Sequence, residues 1–396
     1  MQHLVIIGGG FAGFWSAMSA IRQAHELGKF DELEITLITK DEFHSIRPRF
    51  YEGNLDGLRL PLKNYLNPLG IKLVVGEVAM IDPENRFITL GNSLEKISYD
   101  YLILATGSML KASGIPGIEQ AFSVDTFGDA ATLDRHIYGL ATKGFPTQAS
   151  KTFVIVGGGF TGLEAATAMP QRVKALSPNE ASDFNFILVE RSAKLVSNYS
   201  AEAQQYILDQ LKALRINLLL GEELGRIETG KVILKTGGVI NADTVVWTTG
   251  VIASSLTMHF KGNRDDLGRL CVDKFLRLSS YNSVFIAGDV AKVLVDDHNY
   301  AMMSCQHAIP QGKFAGHNAV NLMFDKSLIP YSQPRYITCL DLGVGDSLVT
   351  TGWERNIKMV GFEAKAMKEE IVTQWIVPAK NVEETVRMSF PVIRKS

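Results

Sequence analysis

Two glycine-rich segments carry the chemistry this sequence is best equipped to do, which is to hold a diphosphate against bare main chain. Leu4-Val5-Ile6-Ile7 runs into Gly8-x-Gly10-x-x-Gly13, and Val154-Ile155-Val156 runs into Gly157-x-Gly159-x-x-Gly162. The second copy lies 149 residues after the first, and the nine residues starting at Val5 and at Val154 are identical at seven positions. The first glycine permits a tight turn, the second lets a pyrophosphate come close, and the third lets the following helix pack on the strand with its free N–H groups facing the phosphates. One copy is a weak signal, because such turns also occur without nucleotides. Two copies imply two dinucleotide sites. One nucleotide then stays bound as a redox group while the other comes and goes as hydride carrier, as with a flavin and a nicotinamide. Phe11, Ala12 and Thr161, inside the turns, join the candidate contacts.

Such turns need a strand before them and a helix after. The continuous apolar, β-branched run Leu4–Ile7 predicts a strand buried on both faces of a parallel sheet, and Phe14 to Gln23 predicts the helix. The second strand of each unit should end in a carboxylate that bonds the adenosine ribose. Phe186-Ile187-Leu188-Val189 ends at Glu190, whose charge repels a 2'-phosphate and favours NADH, although Arg191 beside it suits the phosphate of NADPH. Ile35-Thr36-Leu37-Ile38 ends instead at Thr39, followed by Lys40. A hydroxyl there anchors a ribose less strongly than an acid does.

Composition bounds the rest. A chain of 396 residues suits two or three compact units, and 46% hydrophobic content with 35 glycines lacking a triplet period excludes a disordered tail, a collagen-like rod and a disulfide-stapled miniprotein. Forty basic against 42 acidic residues, with no run of five Lys or Arg, exclude the footprint of a nucleic-acid binder. Three cysteines without a CxxC, after an N-terminus with no charged leader, predict a reducing, cytoplasmic setting. Nowhere do 18 apolar residues occur in succession, so no membrane-spanning helix is expected. His44, His307 and His317 show no metal-ligand spacing, and no metal is expected; surface or satisfied positions suit them, with His307 worth testing as a proton donor.

Three further segments follow in order: Leu102-Ile103-Leu104-Ala105-Thr106-Gly107, Val245-Val246-Trp247-Thr248-Thr249-Gly250 and Val284-Phe285-Ile286-Ala287-Gly288-Asp289. With the glycine turns, they make the chain resemble the two-dinucleotide-domain flavoprotein reductases, the pyridine nucleotide-disulfide oxidoreductase superfamily. The resemblance implies an α/β fold with two Rossmann-like domains and a C-terminal α+β interface domain. Residues 1–112 and 251–330 would form the FAD domain, 113–250 the inserted NAD(P)H domain, and 331–396 the interface domain. It implies that Ala105, Thr106, Gly107 and Gly250 mark the exits from the nucleotide domains, and that Asp289, after Gly288, bonds the ribityl hydroxyls of FAD. The loop Arg47-Pro48-Arg49-Phe50-Tyr51 resembles the one that covers the flavin, with Pro48 against it. Glu164 matches a glutamate placed near nicotinamide and flavin, with a part in proton delivery; a carboxylate in the first turns of a helix is also stabilised by the helix dipole alone.

The acceptor side separates the branches of this superfamily. Disulfide reductases resemble one another in a CxxxxC or CxxC that is absent here, and peroxidase relatives use a cysteine absent from Phe43-His44-Ser45-Ile46-Arg47. Ser304-Cys305-Gln306-His307-Ala308-Ile309-Pro310-Gln311-Gly312 resembles the A-Q-x-A-x-Q-x-G quinone segment of type II NADH:quinone oxidoreductases. Gln306, Ala308 and Gly312 match, Cys305 replaces Ala, and Pro310 replaces the second Gln, with Gln311 displaced by one residue. Small residues let a flat ring approach, and an amide bonds a quinone carbonyl; Gln306 also suits a helix cap. The resemblance implies transfer of hydride from NADH (or NADPH) through FAD to a quinone-like acceptor, with Glu164, Gln306 and His307 at the reacting rings. Three rivals stay open. A sulfide:quinone oxidoreductase needs a cysteine pair, for which Cys305 and Cys339 are the candidates. A reductase of a small iron-sulfur or rubredoxin-type protein needs a basic face. A redox sensor resembling apoptosis-inducing factors needs slow turnover. Phe362, then Met367, Ile371 and Trp375 on one helical face, and Arg394-Lys395 at the end suit a homodimer or core face, or peripheral contact with the inner face of a membrane, which Glu369 and Glu370 disfavour.

Overall fold

The computed structural model describes residues 1–91, 96–111, 113–177 and 183–393; Arg394 and Lys395 lie outside them. Two parallel sheets form the frame. The first has five strands in the order Val284–Ile286, Tyr101–Leu104, Gln2–Ile7, Leu33–Thr39 and Lys72–Val75. The second has four, in the order Ile216–Leu220, Asn185–Glu190, Thr152–Val156 and Thr244–Trp247. In each, the strand that feeds the glycine turn is central, with the next strand on one side and the exit strand on the other. That is the switch point at which ligands meet the carboxyl ends of a doubly wound sheet. Leu4, Val5 and Ile6 are wholly buried, as are Phe153, Val154 and Ile155, which is why these runs are apolar throughout instead of alternating.

The helix after the first turn spans Phe11–Glu26 and the one after the second Phe160–Leu176, so both begin at the turn itself and not three residues later. Ser108–Leu110 pairs antiparallel with Val251–Ala253 where the chain passes between the two sheets. Beyond them Ile337–Asp341, Ser347–Thr351 and Asn356–Val360 form an antiparallel sheet covered by the helix Gly361–Glu370.

Two devices fix the long helix Cys305–Met323. A Cβ on Gly312 would lie 2.2 Å from the Ala12 carbonyl oxygen and one on Gly316 2.2 Å from that of Ser16, so these glycines allow the helix to cross Phe11–Glu26 in backbone contact. Pro310 within it has no N–H to give the Gln306 carbonyl. The Gln333 amide donates to that oxygen instead, at 3.2 Å.

One apolar cluster joins the three parts of the chain: Ile46, Phe50 and Tyr51 of the loop after the second strand, Leu133, Phe153 and Leu163 of the second nucleotide unit, and Leu340 and Leu348 of the C-terminal sheet. Each side chain of this size contributes about 1.5–3 kcal/mol by burial, so the loop is held by several such contacts.

The expected C-terminal stripe forms only as far as Ile371. The α-helix stops at Glu370 and Ile371–Trp375 is a π-helical turn, which breaks the four-residue spacing from Met367 to Trp375. Met367 and Ile371 pack on the small cluster around Cys339, whereas Phe362 is 82% exposed beside Val344 at 67%.

Candidate functional site

The two glycine turns are superimposable in their reasons. Gly8 and Gly157 have φ of +117° and +111°, and a Cβ on Gly13 or on Gly162 would sit 1.8 Å from the carbonyl oxygen of the first glycine of its own turn. By contrast, a Cβ on Gly10 or Gly159 would meet nothing within 4 Å. The middle glycine is therefore spared a side chain for something outside the protein, as a pyrophosphate requires.

The helix ends agree. Phe127–Thr142, Ala201–Ala213 and Val382–Met388 are each capped by a side chain, from Thr126, Ser200 and Asn381. Phe11–Glu26, Phe160–Leu176 and Cys305–Met323 have no side-chain cap and no acid in the first turn. Their free N–H groups and positive dipole ends suit anionic groups. These observations fit two bound dinucleotides.

Around the first turn, Ala105 lies against Gly8, and the buried hydroxyl of Thr106 has no partner among the described residues. Gly107 follows at the exit. Phe11 is half-buried, edge-on to His44, and Ala12 is buried beneath Gly288. Thr39 sits under Gly9, its hydroxyl 3.5 Å from the Asp41 N–H, whereas Lys40 is 72% exposed and paired with Glu77 at 2.6 Å, away from the turn. Pro48 lies in the helical turn Arg47–Arg49. Asp289 follows Gly288 and accepts from the Ser108 hydroxyl at 2.6 Å, and burial lifts its carboxyl above the usual range. Arg47 donates to the Ser108 hydroxyl at 3.0 Å and its carbonyl at 3.2 Å, and pairs with Asp125.

The second turn is more open: Gly159, Phe160 and Thr161 are exposed. Glu190 accepts from the N–H of Gly158 at 2.7 Å and of Ser192 at 2.8 Å. Burial opposes its charge, but these donors outweigh it and hold the carboxyl below its ordinary value. Gly250 closes the exit strand's turn with φ +82°.

Glu164 stands at the centre of a buried polar cluster that the sequence alone did not reveal. Lys368, from the C-terminal helix, donates to Glu164 Oε1 at 2.6 Å and to the Cys339 carbonyl at 3.1 Å. The Asp341 N–H donates to the same Glu164 oxygen at 3.1 Å. The Asp341 carboxylate takes Tyr51 OH at 2.9 Å and Lys365 at 2.8 Å. Burial pushes Glu164 up to about 7, against the pull of Lys368. Burial works against the Lys368 charge too, but Glu164 more than offsets it and the ammonium titrates above its ordinary value. No local signal marks Lys368 as the partner of Glu164, since the two lie 204 residues apart.

The quinone-like segment is put to other use. The Gln306 amide, oriented so that both its atoms meet complementary partners, donates to the Ile337 carbonyl at 2.8 Å and accepts from the Ile337 N–H at 3.3 Å. Gln311 accepts from the Gly288 N–H at 2.7 Å, and Gly312 is spent on helix packing, not on an approaching ring. The three histidines are not on the surface. His317 bonds Arg22 and Asn321 through its two nitrogens. His44 meets the Gly9 carbonyl and His307 the Ser304 hydroxyl, each at 3.1 Å, and each leaves Nε2 without a hydrogen-bond partner among the described residues. Burial pulls both down to about 4, so both are neutral.

Cys271, Cys305 and Cys339 are unpaired. Among the described residues no His/Cys/Asp/Glu group is arranged for a metal, and no helix is long and apolar enough to cross a membrane.

A profile of the pyridine nucleotide-disulphide oxidoreductases matches residues 2–312. A Mycobacterium tuberculosis protein named NADH dehydrogenase-like is 38% identical over 384 residues, 96% of each chain. A type II NADH:quinone oxidoreductase of Staphylococcus epidermidis is 24% identical over 95% of each. Among solved structures, NDH2 of Plasmodium falciparum in complex with NADH shares the fold with a TM-score of 0.80 at 14% identity, covering 98% of this chain and 97% of that one. The sulfide:quinone oxidoreductase of Aquifex aeolicus gives 0.78 at 18%, covering 99% and 92%.

Proposed function

The chain belongs to the pyridine nucleotide-disulphide oxidoreductase family, and from that premise we propose that it oxidises NADH through a resident FAD and reduces a quinone-like two-electron acceptor. The observation that carries this reading is the pair of uncapped glycine turns, with Glu164 on the helix of the second paired to Lys368 of the C-terminal helix. FAD supplies a ring that takes hydride from NADH and passes two electrons onward.

The protein's part is binding, orientation and proton handling. The first turn would hold the FAD diphosphate on the Phe11–Glu26 helix end, Asp289 would bond the ribityl chain, and the turn Arg47–Arg49 would cover the ring. The second turn, more exposed, suits a nucleotide that must leave, and the ionised Glu190 selects a ribose 2'-hydroxyl over a 2'-phosphate. Glu164, poised to gain or lose a proton near neutrality, supplies the proton that a reduced acceptor needs, and Lys368 keeps it partly ionised. With Gln306 committed to Ile337, acceptor recognition falls on other groups, and His307, with a free Nε2, is the nearest candidate on that helix. The exposed Phe362 and Val344 are the residues of the C-terminal part that would meet a lipid surface or a second copy.

The acceptor reading is supported by relatives named type II NADH:quinone oxidoreductases. It is tested by steady-state NADH consumption with a soluble quinone. The flavin-loaded protein should turn over in a quinone-dependent manner, with NADH preferred to NADPH; absence of quinone-dependent consumption overturns it.

A further inference from the structure

Arg47 stands where no nucleotide motif asks for a charge. Its guanidinium, two-thirds buried, is the hub of three segments: its own flavin-covering turn, Ser108 at the exit of the first nucleotide unit, and Asp125 just before the capping residue of the helix Phe127–Thr142. The Ser108 hydroxyl accepts from Arg47 and donates to Asp289, so a chain of two charge-assisted bonds, 3.0 and 2.6 Å long, links the cation to the buried carboxylate that would bond the ribityl chain. The other cation within reach of Asp289, Arg269, is already tied to Asp265 at 2.8 Å and to the Ala301 carbonyl at 2.6 Å.

Of the charges acting on Asp289, Arg47 is the one joined to it by a hydrogen-bond chain, and Asp125 is the carboxylate paired with Arg47. Hydride transfer brings two electrons and one proton, so the flavin gains one negative charge while NADH becomes NAD⁺. A buried carboxylate beside the ribityl chain opposes that gain, and a cation on the same hydrogen-bond chain favours it.

We propose that Arg47 sets the electron affinity of the flavin: through Ser108 it balances Asp289, and Asp125 in turn moderates it. This rests on the reading of the first site as the FAD site and is independent of the acceptor.

The test is the two-electron midpoint potential of the flavin-loaded protein, measured spectrophotometrically against reference dyes, with FAD affinity measured alongside by fluorescence. Arg47→Gln should weaken binding of reduced relative to oxidised flavin about tenfold, which is about 30 mV downward. Asp125→Asn frees Arg47 of its moderating partner and should shift the potential upward by a comparable amount. The double variant, with both charges gone, should return close to the wild-type potential. Arg47→Lys keeps the charge and loses the fork, so its potential should stay near wild type even where FAD affinity falls.

A merely structural strap predicts something else. If Arg47→Gln changes FAD affinity and leaves the potential where it was, or if the two single variants move it in the same direction, the proposal is overturned. Failure of the wild-type chain to take up FAD would overturn the site reading as well. FAD uptake without quinone turnover would overturn the acceptor reading alone.

Discussion

Lys368→Met isolates Glu164, a buried carboxyl held far above its ordinary value. With Lys368 present, Glu164 titrates at about 7, so a pH profile of kcat/KM for NADH oxidation should bend near pH 7. The ammonium lies 2.6 Å from the Glu164 carboxylate and is the chief force opposing burial. Removing an opposite charge at such range raises a carboxyl by about one to three pH units, which places the bend in the variant at about pH 8–10. Stability should follow with a definite sign. A carboxyl whose folded value exceeds its unfolded one favours folding while protonated; that advantage is fully present below the ordinary value of 4.5 and disappears as pH rises through the folded value. In the wild type the decline runs from about pH 4.5 to about pH 7, and in Lys368→Met it continues above pH 7. At about 1.4 kcal/mol per pH unit, the one to two units gained below pH 9 should make the variant roughly 1.4–2.8 kcal/mol less stable than wild type at pH 9, relative to any difference at pH 5, where Glu164 is neutral in both. Urea unfolding at the two pH values reads this directly. Glu164→Gln should remove both the bend and the pH-dependent part of the stability. An equal loss at pH 5 and pH 9, or a bend that stays at pH 7 in Lys368→Met, would refute the assignment of a shared proton to this pair.

Gly10→Ala and Gly13→Ala should part company: the first places its methyl in open space and should leave the apo fold intact while abolishing FAD uptake, and the second forces a methyl onto the Gly8 carbonyl and should destabilise the fold itself, as thermal unfolding with and without FAD will distinguish. Glu190→Ala removes a charge-assisted bond worth about 1.5–3 kcal/mol, so the KM for NADH should rise about tenfold or more and the NADH-to-NADPH preference should narrow; an unchanged ratio of the two KM values counts against the ribose assignment. Gln311→Met leaves the buried Gly288 N–H unpaired at a cost of about 1–3 kcal/mol, and because Asp289 is the next residue, FAD should dissociate faster in stopped-flow release; wild-type release would show that the Gly288 turn holds itself.

What was legible in the sequence was local. The glycine turns, their strands and the exits at Gly107 and Gly250 could be read because each signal occupies ten or so neighbouring residues and answers to one steric requirement. The family match extends that reading over residues 2–312. What escaped depends on partners far along the chain. Lys368 reaches Glu164 across 204 positions, and in its own helix it reads as a lysine on a solvated face. The stripe from Met367 through Ile371 does not reach Trp375, because a period of four holds only while the helix is α and no residue between Glu370 and Trp375 announces the π turn.

The quinone-like segment shows a third kind of illegibility, in which the residue types persist and their work changes. Pro310 takes away one N–H from its helix, and from that single loss the Gln306 carbonyl requires an outside donor, which Gln333 provides from a loop beyond the helix. That contact, with the Gln306 amide on Ile337, ties the start of the helix to the C-terminal sheet. One residue on, Gln311 fastens the Gly288 turn that presents Asp289. Gln306, which the motif would set at the acceptor, and the displaced Gln311 thus both serve the frame, so on the proposed function the features that discriminate between acceptors are to be sought where the helix start meets the C-terminal sheet, around His307, Tyr336 and Trp353, whose rings stack in that order at 5.8 and 4.5 Å.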